Sequence, residues 1–310
     1  MAPVAQSAAQ IARSYLDDAA AAAARLGDRA DAEALHDFRV AIRRLRVTVG
    51  AYTALHDGVS RKTRRRLRKL ARATNAARDA EVQLAWFHNR SARFTPAQRG
   101  ALAPVRGRIR AWRRREQIRS HTKLLRRFEK LDGKLRQRLT TLESSGRDQR
   151  AHFGATAAAA LIRHAEDLSA RLGAVTSVSQ AAPPAEVHAT RIAAKKLRYL
   201  LEPLQADVPS AHVLLKRLKQ LQDLLGAIND AHVLRDELDR AGVSAATDVL
   251  RDELASLFTT LQSDWGNAGP DLQRAVATAA RQLQPATIAR PGTRRAAARQ
   301  RERRREDVTV

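Results

Sequence analysis

Histidine and arginine recur at helical spacing in Leu35-His36-Asp37-Phe38-Arg39-Val40-Ala41-Ile42-Arg43-Arg44-Leu45-Arg46. The pattern returns in the second half as Val187-His188-Ala189-Thr190-Arg191-Ile192-Ala193-Ala194-Lys195-Lys196-Leu197-Arg198. The two align without a gap: His36 on His188, Arg39 on Arg191, Arg43-Arg44 on Lys195-Lys196, and Arg46 on Arg198. These residue types suit one chemistry, the binding of oxyanions. A guanidinium presents a planar fork that matches phosphate oxygens in pairs, an ammonium acts as a point charge, and an imidazole adds a donor near neutral pH. A lone histidine on a helix is most often a packed side chain bonded to a carbonyl. Two of them in register beside Arg39 and Arg191 favour a phosphate donor instead. Metal ligation is opposed by the cationic neighbours and by the absence of H-x-x-x-H or H-E-x-x-H spacing. Anion binding at such a stripe is expected to strengthen as the pH falls through the range where histidine titrates.

An α-helix is the element that must carry each stripe. At about 100° per residue, His36, Arg39, Arg43 and Arg46 fall within roughly 80° of one another and span about 15 Å. Phe38, Ala41, Ile42, Leu45 and Val49 share the neighbouring arc, so an apolar face backs the cationic one. His188, Arg191, Lys195 and Arg198 repeat this, backed by Thr190, Ala193, Ala194, Leu197 and Leu201. Two helices in one register imply a duplicated unit with one task. A second pair of segments supports the duplication. Leu67, Leu70, Asp79 and Val82 align with Leu218, Leu221, Asp230 and Val233, and Arg65 and Arg68 with Lys216 and Lys219. The paired cations lie three residues apart and share a face, which points to a ligand role. Asp79 and Asp230 are expected to pair with arginine and hold it in place.

The remaining elements read as helices throughout. An Ala-rich helix covers residues 4 to 26, ended by Gly27-Asp28. Asp31 is a candidate N-cap for the first motif helix, which should run to about Leu55. A third helix should start near Ser60 and continue past His88. Beyond Phe94-Thr95-Pro96, two helices are expected, Pro96 to Arg119 and Ser120 to Leu142, with Glu143 to Gly146 as the boundary between halves. The second half should hold a helix from Ala155 to Leu172, a loop from Gly173 to Pro184, the second motif helix, and helices near Ala245 to Ser263 and Pro270 to Leu283. No stretch alternates in the manner of a strand. The expected fold is all-α: two four-helix bundles related by internal duplication and a pseudo-two-fold axis, their basic stripes facing a central groove or pore. The domain should span residues 5–284, with halves at about 5–145 and 150–284, followed by a disordered basic tail over 285–310.

Composition narrows the partner. The 310 residues carry a formal charge of +25 and no cysteine, so neither a disulfide framework nor a thiolate site is available. The excess of cations predicts a polyanionic partner. No apolar run is long enough to span a membrane and no secretory leader is visible, so the expected location is cytoplasmic. The sequence shows no P-loop, no nucleophile elbow and no paired catalytic carboxylates, and no cofactor motif; a non-enzymatic role is expected.

The doubled pattern resembles the CHAD domain, the conserved histidine α-helical domain, whose hallmark is H-x-x-R-x-x-x-[RK]-[RK]-x-R present twice. A companion motif of that family, L-G-x-x-R-D-x-x-V, is matched by Asn75-Ala76-Ala77-Arg78-Asp79-Ala80-Glu81-Val82 and by Gly226-Ala227-Ile228-Asn229-Asp230-Ala231-His232-Val233. Asn75 stands where the family usually has Gly, and Asn229 stands in place of Arg. The resemblance covers about residues 5 to 284. It implies two helical bundles around a basic groove, inorganic polyphosphate as ligand, and association with polyphosphate or related storage granules and their proteins. The residues its motifs point to are His36, Arg39, Arg43, Arg44, Arg46 and Arg78, with His188, Arg191, Lys195, Lys196 and Arg198; the aligned cations Arg65, Arg68, Lys216 and Lys219 join them as candidate polyphosphate ligands. The triphosphate-tunnel signature E-x-E-x-K that many relatives add is absent, which reads as a stand-alone binder. A linear polyanion offers charge and oxygen acceptors but no base edges, so many donors along a track suffice. The alternative is a basic protein that coats nucleic acid nonspecifically. Such proteins add stacking aromatics, whereas aromatics are 4% of this chain and do not interleave with the stripes. Phe38, Tyr52 and Tyr199 are expected in the core or groove wall.

Overall fold

The structure is a computed structural model that describes residues 7–28, 31, 33–90, 92, 94–144, 147–178, 182–240 and 247–283, with the side chains of 75–79, 116–123 and 147–152 outside that set. Among the described residues there are helices and no strands. The segment expected as a basic tail, 285–310, lies outside them.

Helix α1 (Ala8–Arg25) opens with a capping box: the Gln10 backbone N–H donates to Ser7 Oγ at 3.3 Å and the Ser7 N–H to Gln10 Oε1 at 2.8 Å. Its buried alanines, among them Ala12, Ala19 and Ala22, let α2 approach closely. Helix α2 (Ala34–Ala51) carries the first motif. Asp31 does cap it, from two residues before the N-cap position, accepting from the N–H groups of Glu33 and Ala34 at 3.0 and 2.9 Å. The helix ends earlier than expected. Tyr52 takes extended backbone (φ −96°, ψ 120°) and buries its ring against Phe153, centroids 5.3 Å apart, after which a short α3 (Thr53–Gly58) follows.

The expected single helix from Ser60 past His88 is two. Helix α4 (Arg61–Ala73), capped by Ser60, stops at Thr74 and α5 (Asn75–Asn89) begins at once. Thr74 is buried and its hydroxyl donates to the Ala71 carbonyl at 2.9 Å, competing with the backbone ladder there. The opposite correction applies next. The two helices expected between Pro96 and Leu142 are one, α6 (Pro96–Ser144), 49 residues and so about 73 Å long. No Gly or Pro stands near Arg119-Ser120 to end it, and it continues through Pro104.

Helix α7 (Arg147–Thr176) runs past Gly173 into the segment expected as loop. Helix α8 (Pro184–Leu201) carries the second motif and tightens into a 3-10 turn over Glu202–Leu204. Then come α9 (Ala211–Arg240), unbroken where the first half divides into α4 and α5, α10 (Thr247–Trp265) and α11 (Ala268–Leu283).

Helices α1, α4 and α5 each pack on α6, while α7 holds α8 and α11, and α9 holds α8 and α10. The groups meet where α2 packs on α8 and α5 on α9, and one continuous apolar core runs through both. The Phe38 ring meets Phe128 edge-on at 5.2 Å, which fixes the back of α2 to α6.

A polar tie closes the second junction. Glu253 of α10, with only 9% of its side chain exposed, accepts from Trp86 Nε1 at 3.2 Å and from Arg90 Nε at 2.7 Å, and Arg90 Nη2 also donates to it. Arg90 in turn lies over the Trp86 ring at 5.1 Å. Truncating the carboxylate leaves a half-buried guanidinium and an indole N–H without their acceptor. Glu253→Ala should therefore lower the unfolding free energy by about 2 kcal/mol, read from the urea midpoint.

Candidate anion-binding site

Helices α2 and α8 turn their apolar faces into the core: Phe38, Ile42 and Leu45 on one, Ala193, Ala194 and Leu197 on the other are 0–2% exposed. That burial leaves the cationic arcs no choice but to face the space between the helices. There, a cavity of about 490 Å³ is lined by His36, Arg39 and Arg43 from α2 and by His188, Arg191, Lys195 and Arg198 from α8. Helix α9 contributes Gln222, Asp223, Asn229 and Asp230, and α5 contributes Val82 and Gln83. Both copies of the motif thus meet at one place. Arg39 lies deepest, 4% exposed, while His36 and His188 stand at the solvent-exposed rim.

Hydrogen bonds orient part of this lining. His188 Nδ1 is 3.0 Å from Asn229 Oδ1, and Asn229 Nδ2 donates to Asp230 Oδ1 at 3.4 Å. With Asn229 Oδ1 as acceptor, the proton sits on Nδ1 and the other ring nitrogen is turned away from Asn229. The departure from Arg at position 229 therefore gives a positioning contact to the motif histidine. Arg191 lies against α9 at Gly226, where a Cβ would come 3.5 Å from its Nε, and that buried Nε has no hydrogen-bond partner among the described residues. Tyr199 forms the wall, buried, with the Arg198 guanidinium 5.3 Å from its ring centroid. Tyr52 and Phe38 are core residues, as expected.

The cations strain one another. Burial, reinforced by Arg191, Arg43 and Arg198, pushes the Lys195 ammonium down to about 7, with Asp230 opposing. Burial and then Arg43, Arg72 and Arg68 also depress the Arg46 guanidinium. Arg44 differs: burial works against its charge, but Glu202, by proximity and a 2.7 Å hydrogen bond, outweighs it and raises the group above its ordinary value. Glu202 also pairs with Arg198 at 2.9 Å.

The expected site residues consequently divide among three recesses. The central cavity takes His36, Arg39, Arg43, His188, Arg191, Lys195 and Arg198. A second, about 920 Å³, takes Arg44, Lys216 and Lys219 and shares Arg198. A third, about 600 Å³, takes Arg46, Arg68 and Lys196. Arg65 is exposed on α4 and lines none of them; the side chain of Arg78, like that of Asp79, lies outside the described residues. Sequence reasoning missed Arg61 and Arg64, which line the third recess. Their spacing with Arg68, i, i+3 and i+7, marks one helix face. It also missed Glu202, whose signal was its place four residues after Arg198. Gln83 and Gln222 carried no signal that separates them from other polar helix residues.

The CHAD domain family model matches residues 10–239. The chain belongs to the CHAD domain family. A crystal structure of the CHAD domain from the plant Ricinus communis is similar in fold, with a TM-score of 0.63 at 21% identity over 89% of this chain and 92% of that one. A comparison with curated protein sequences gave no match. The match agrees with the helical architecture of this CHAD domain; the distribution of its cations over three recesses comes from its own geometry. Among the described residues no helix is long and apolar enough to cross a membrane, and no three His, Cys, Asp or Glu residues are grouped to hold a metal.

The depressed Lys195 makes stability depend on pH with a definite sign. Below about 7 both folded and unfolded chains hold its proton, and the folded state bears the repulsion. Between there and the unfolded value of about 10.4, only the unfolded chain holds it. The ligand-free protein should gain stability as the pH rises through this window, by at most about 1.4 kcal/mol per unit. Lys195→Met should be more stable than wild type at about pH 6 and lose this gain. Urea denaturation of both proteins across the window checks it; parallel profiles would remove Lys195 as the source.

Proposed function

We propose that this CHAD domain binds inorganic polyphosphate in the cavity between α2 and α8, without catalysing a reaction on it. The observation that carries the reading is the convergence of both motif copies on one cavity, where burial, reinforced by like charge, has pushed a lysine to about 7. Cations outnumber carboxylates in this lining: each phosphate oxygen that enters removes repulsion as well as adding hydrogen bonds. A ligand that is only a chain of charged oxygens matches a lining of guanidinium, ammonium and imidazole groups. Nucleic acid fits less well. Binding of single strands relies on aromatic faces for stacking, and Tyr199, the aromatic in this lining, is 5% exposed.

Several finer readings belong with this one. We take α1–α6 and α7–α11 as products of a duplication, two helical bundles related by a pseudo-two-fold axis that passes between α2 and α8. The functional domain is taken to span residues 5–284. Residues 285–310, with their many arginines, would supply a second, nonspecific anchor to a polyanion. Binding of this kind would place the protein, and any granule protein bound to it, on polyphosphate or related storage granules.

Competition at physiological salt tests the central reading. Labelled long-chain polyphosphate is challenged with single- and double-stranded DNA matched in total phosphate. Polyphosphate should win, and a protein with His36, Arg39, His188 and Arg191 all changed to alanine should lose the preference. Equal competition by DNA with the variant unaffected would make net charge the driver and nucleic acid the ligand.

Proton linkage gives an independent check. Lys195 faces Arg191 and Arg198 on its own helix, His36, Arg39 and Arg43 on α2, and Asp223 and Asp230 on α9. A polyanion among these groups stabilises the ammonium, so the complex holds a proton that the free protein sheds above about 7. Affinity should fall as the pH rises through that value, with proton uptake visible by calorimetry in buffers of different ionisation enthalpy. Lys195→Met should bind more weakly at low pH and take up fewer protons.

A further inference from the structure

The two recesses that flank the central cavity occupy corresponding places on the two motif helices. Arg44, Arg198, Lys216 and Lys219 line the one beside α9. Their aligned counterparts include Lys196, Arg46 and Arg68, which line the one beside α4. A symmetric molecule would let a bound chain leave the centre on either side. Charge separates the two exits.

On the α9 side, carboxylates stand at the border. Glu202 is paired with Arg44 at 2.7 Å and with Arg198 at 2.9 Å, and Arg198 lines both the central cavity and this recess. Asp223, in the central lining, is paired at 2.7 Å with Lys219 of the recess. Three of the four cations on this path are thus already held by carboxylates.

On the α4 side, the recess is lined by Arg46, Arg61, Arg64, Arg68 and Lys196 with two histidines, His56 and His164, and no carboxylate among its described lining. The motif helices carry the track from the centre to this recess: on α2 Arg46 follows Arg43 of the central lining by three residues, and on α8 Lys196 follows Lys195. The sequence alignment locates the origin of the difference. The motif segments, carried on without a gap, set Glu202 opposite Gly50, and the companion segments, in their own register one residue shorter, set Asp223 opposite Arg72. Each carboxylate that guards the α9 exit has a neutral or cationic counterpart at the α4 exit.

We infer that a long polyanion held in the central cavity leaves it on the α4 side only, over Arg46, Lys196, Arg64, Arg61 and Arg68, so that the duplicated site binds its ligand in one direction. This rests on the polyphosphate reading of the central cavity. The occupant of the α4 recess is the continuation of that same chain, not a separate ligand.

The experiment compares tripolyphosphate, short enough for the centre, with long-chain polyphosphate, using the full chain and two paired variants. Arg64→Ala/Lys196→Ala should weaken long-chain binding several-fold and lower the slope of log affinity against log salt by about one per cation removed, with tripolyphosphate binding unchanged. Lys216→Ala/Lys219→Ala should weaken long-chain binding several-fold less than the α4 pair does. Glu202→Gln, which frees the α9 exit, should raise long-chain affinity. The His164 ring resonances should shift with the long chain and not with tripolyphosphate. Thermal unfolding of each variant separates loss of fold from loss of binding; if Arg64→Ala/Lys196→Ala unfolds, the Glu202 variant and the His164 resonances still decide. Equal losses from the two pairs, or a Glu202 variant that binds no better with His164 silent, would overturn the one-sided exit while leaving polyphosphate binding intact. Wild type that binds neither ligand would overturn the reading of the central cavity, and the exit with it.

Discussion

Arg39, Arg43, Arg191, Arg198 and Lys195 share one cleft, and their mutual repulsion must be outweighed by whatever keeps α2 against α8. Two like charges about 8 Å apart repel by roughly 2 kcal/mol at an effective dielectric constant near 20. Several such pairs rival the roughly 1.5–3 kcal/mol gained by burying each large apolar side chain. The apolar faces therefore bear a double load: Phe38, Ile42 and Leu45 on α2, and Leu197 with its alanine neighbours on α8, both build the core and hold the cations together. Relief comes where it is compatible with binding. Asp230 moderates the field at Lys195, whose ammonium burial and its cationic neighbours push down to about 7.

That balance explains why the site sits between helices and not on loops. A helix repeats a given face about every 5.4 Å, so His36, Arg39, Arg43 and Arg46 form a ladder of donors on a rigid rod. Its back is pinned by close contacts such as the edge-on pair of Phe38 and Phe128. The long α6 supports α1, α4 and α5 along its length, and the Trp86–Arg90–Glu253 tie anchors the end of α5 to α10. Cations that would otherwise spread apart in solvent stay in register because every element that carries them is fixed elsewhere.

Much of this was legible in the sequence because it depends on periodicity. The helical class, the apolar backs of the motif helices and the assignment of Phe38 and Tyr52 to the core all follow from spacing of 3.6 residues. So does the pairing of His36, Arg39 and Arg43 with His188, Arg191 and Lys195. The breaks were not legible. Tyr52 ends α2 through the burial of its ring on Phe153, a contact with a residue far away in the chain. Thr74 divides α4 from α5 through a local hydroxyl bond that its sequence neighbours do not announce. Nor could spacing reveal how a stripe divides in three dimensions. Arg43 and Arg44 are adjacent, yet one lines the central cavity and the other is held by Glu202 in a different recess.

The same contrast bears on how the two copies of the motif differ in their surroundings. The residues that face the central cavity remain matched in kind, His on His, Arg on Arg, Arg43 on Lys195. The residues around them have diverged, and each divergence changes the field more than the shape. Asn229 gives up a cation of the companion motif and spends its amide on His188 and Asp230, so the second histidine gains orientation as its surroundings lose charge. Glu202 and Asp223 neutralise one flank where Gly50 and Arg72 leave the other cationic. A featureless polymer carries no sequence to be read, so for the proposed ligand a matched centre would be enough to hold the chain. On the reading proposed above, the unmatched flanks would supply what such a ligand itself cannot, a direction along which it lies.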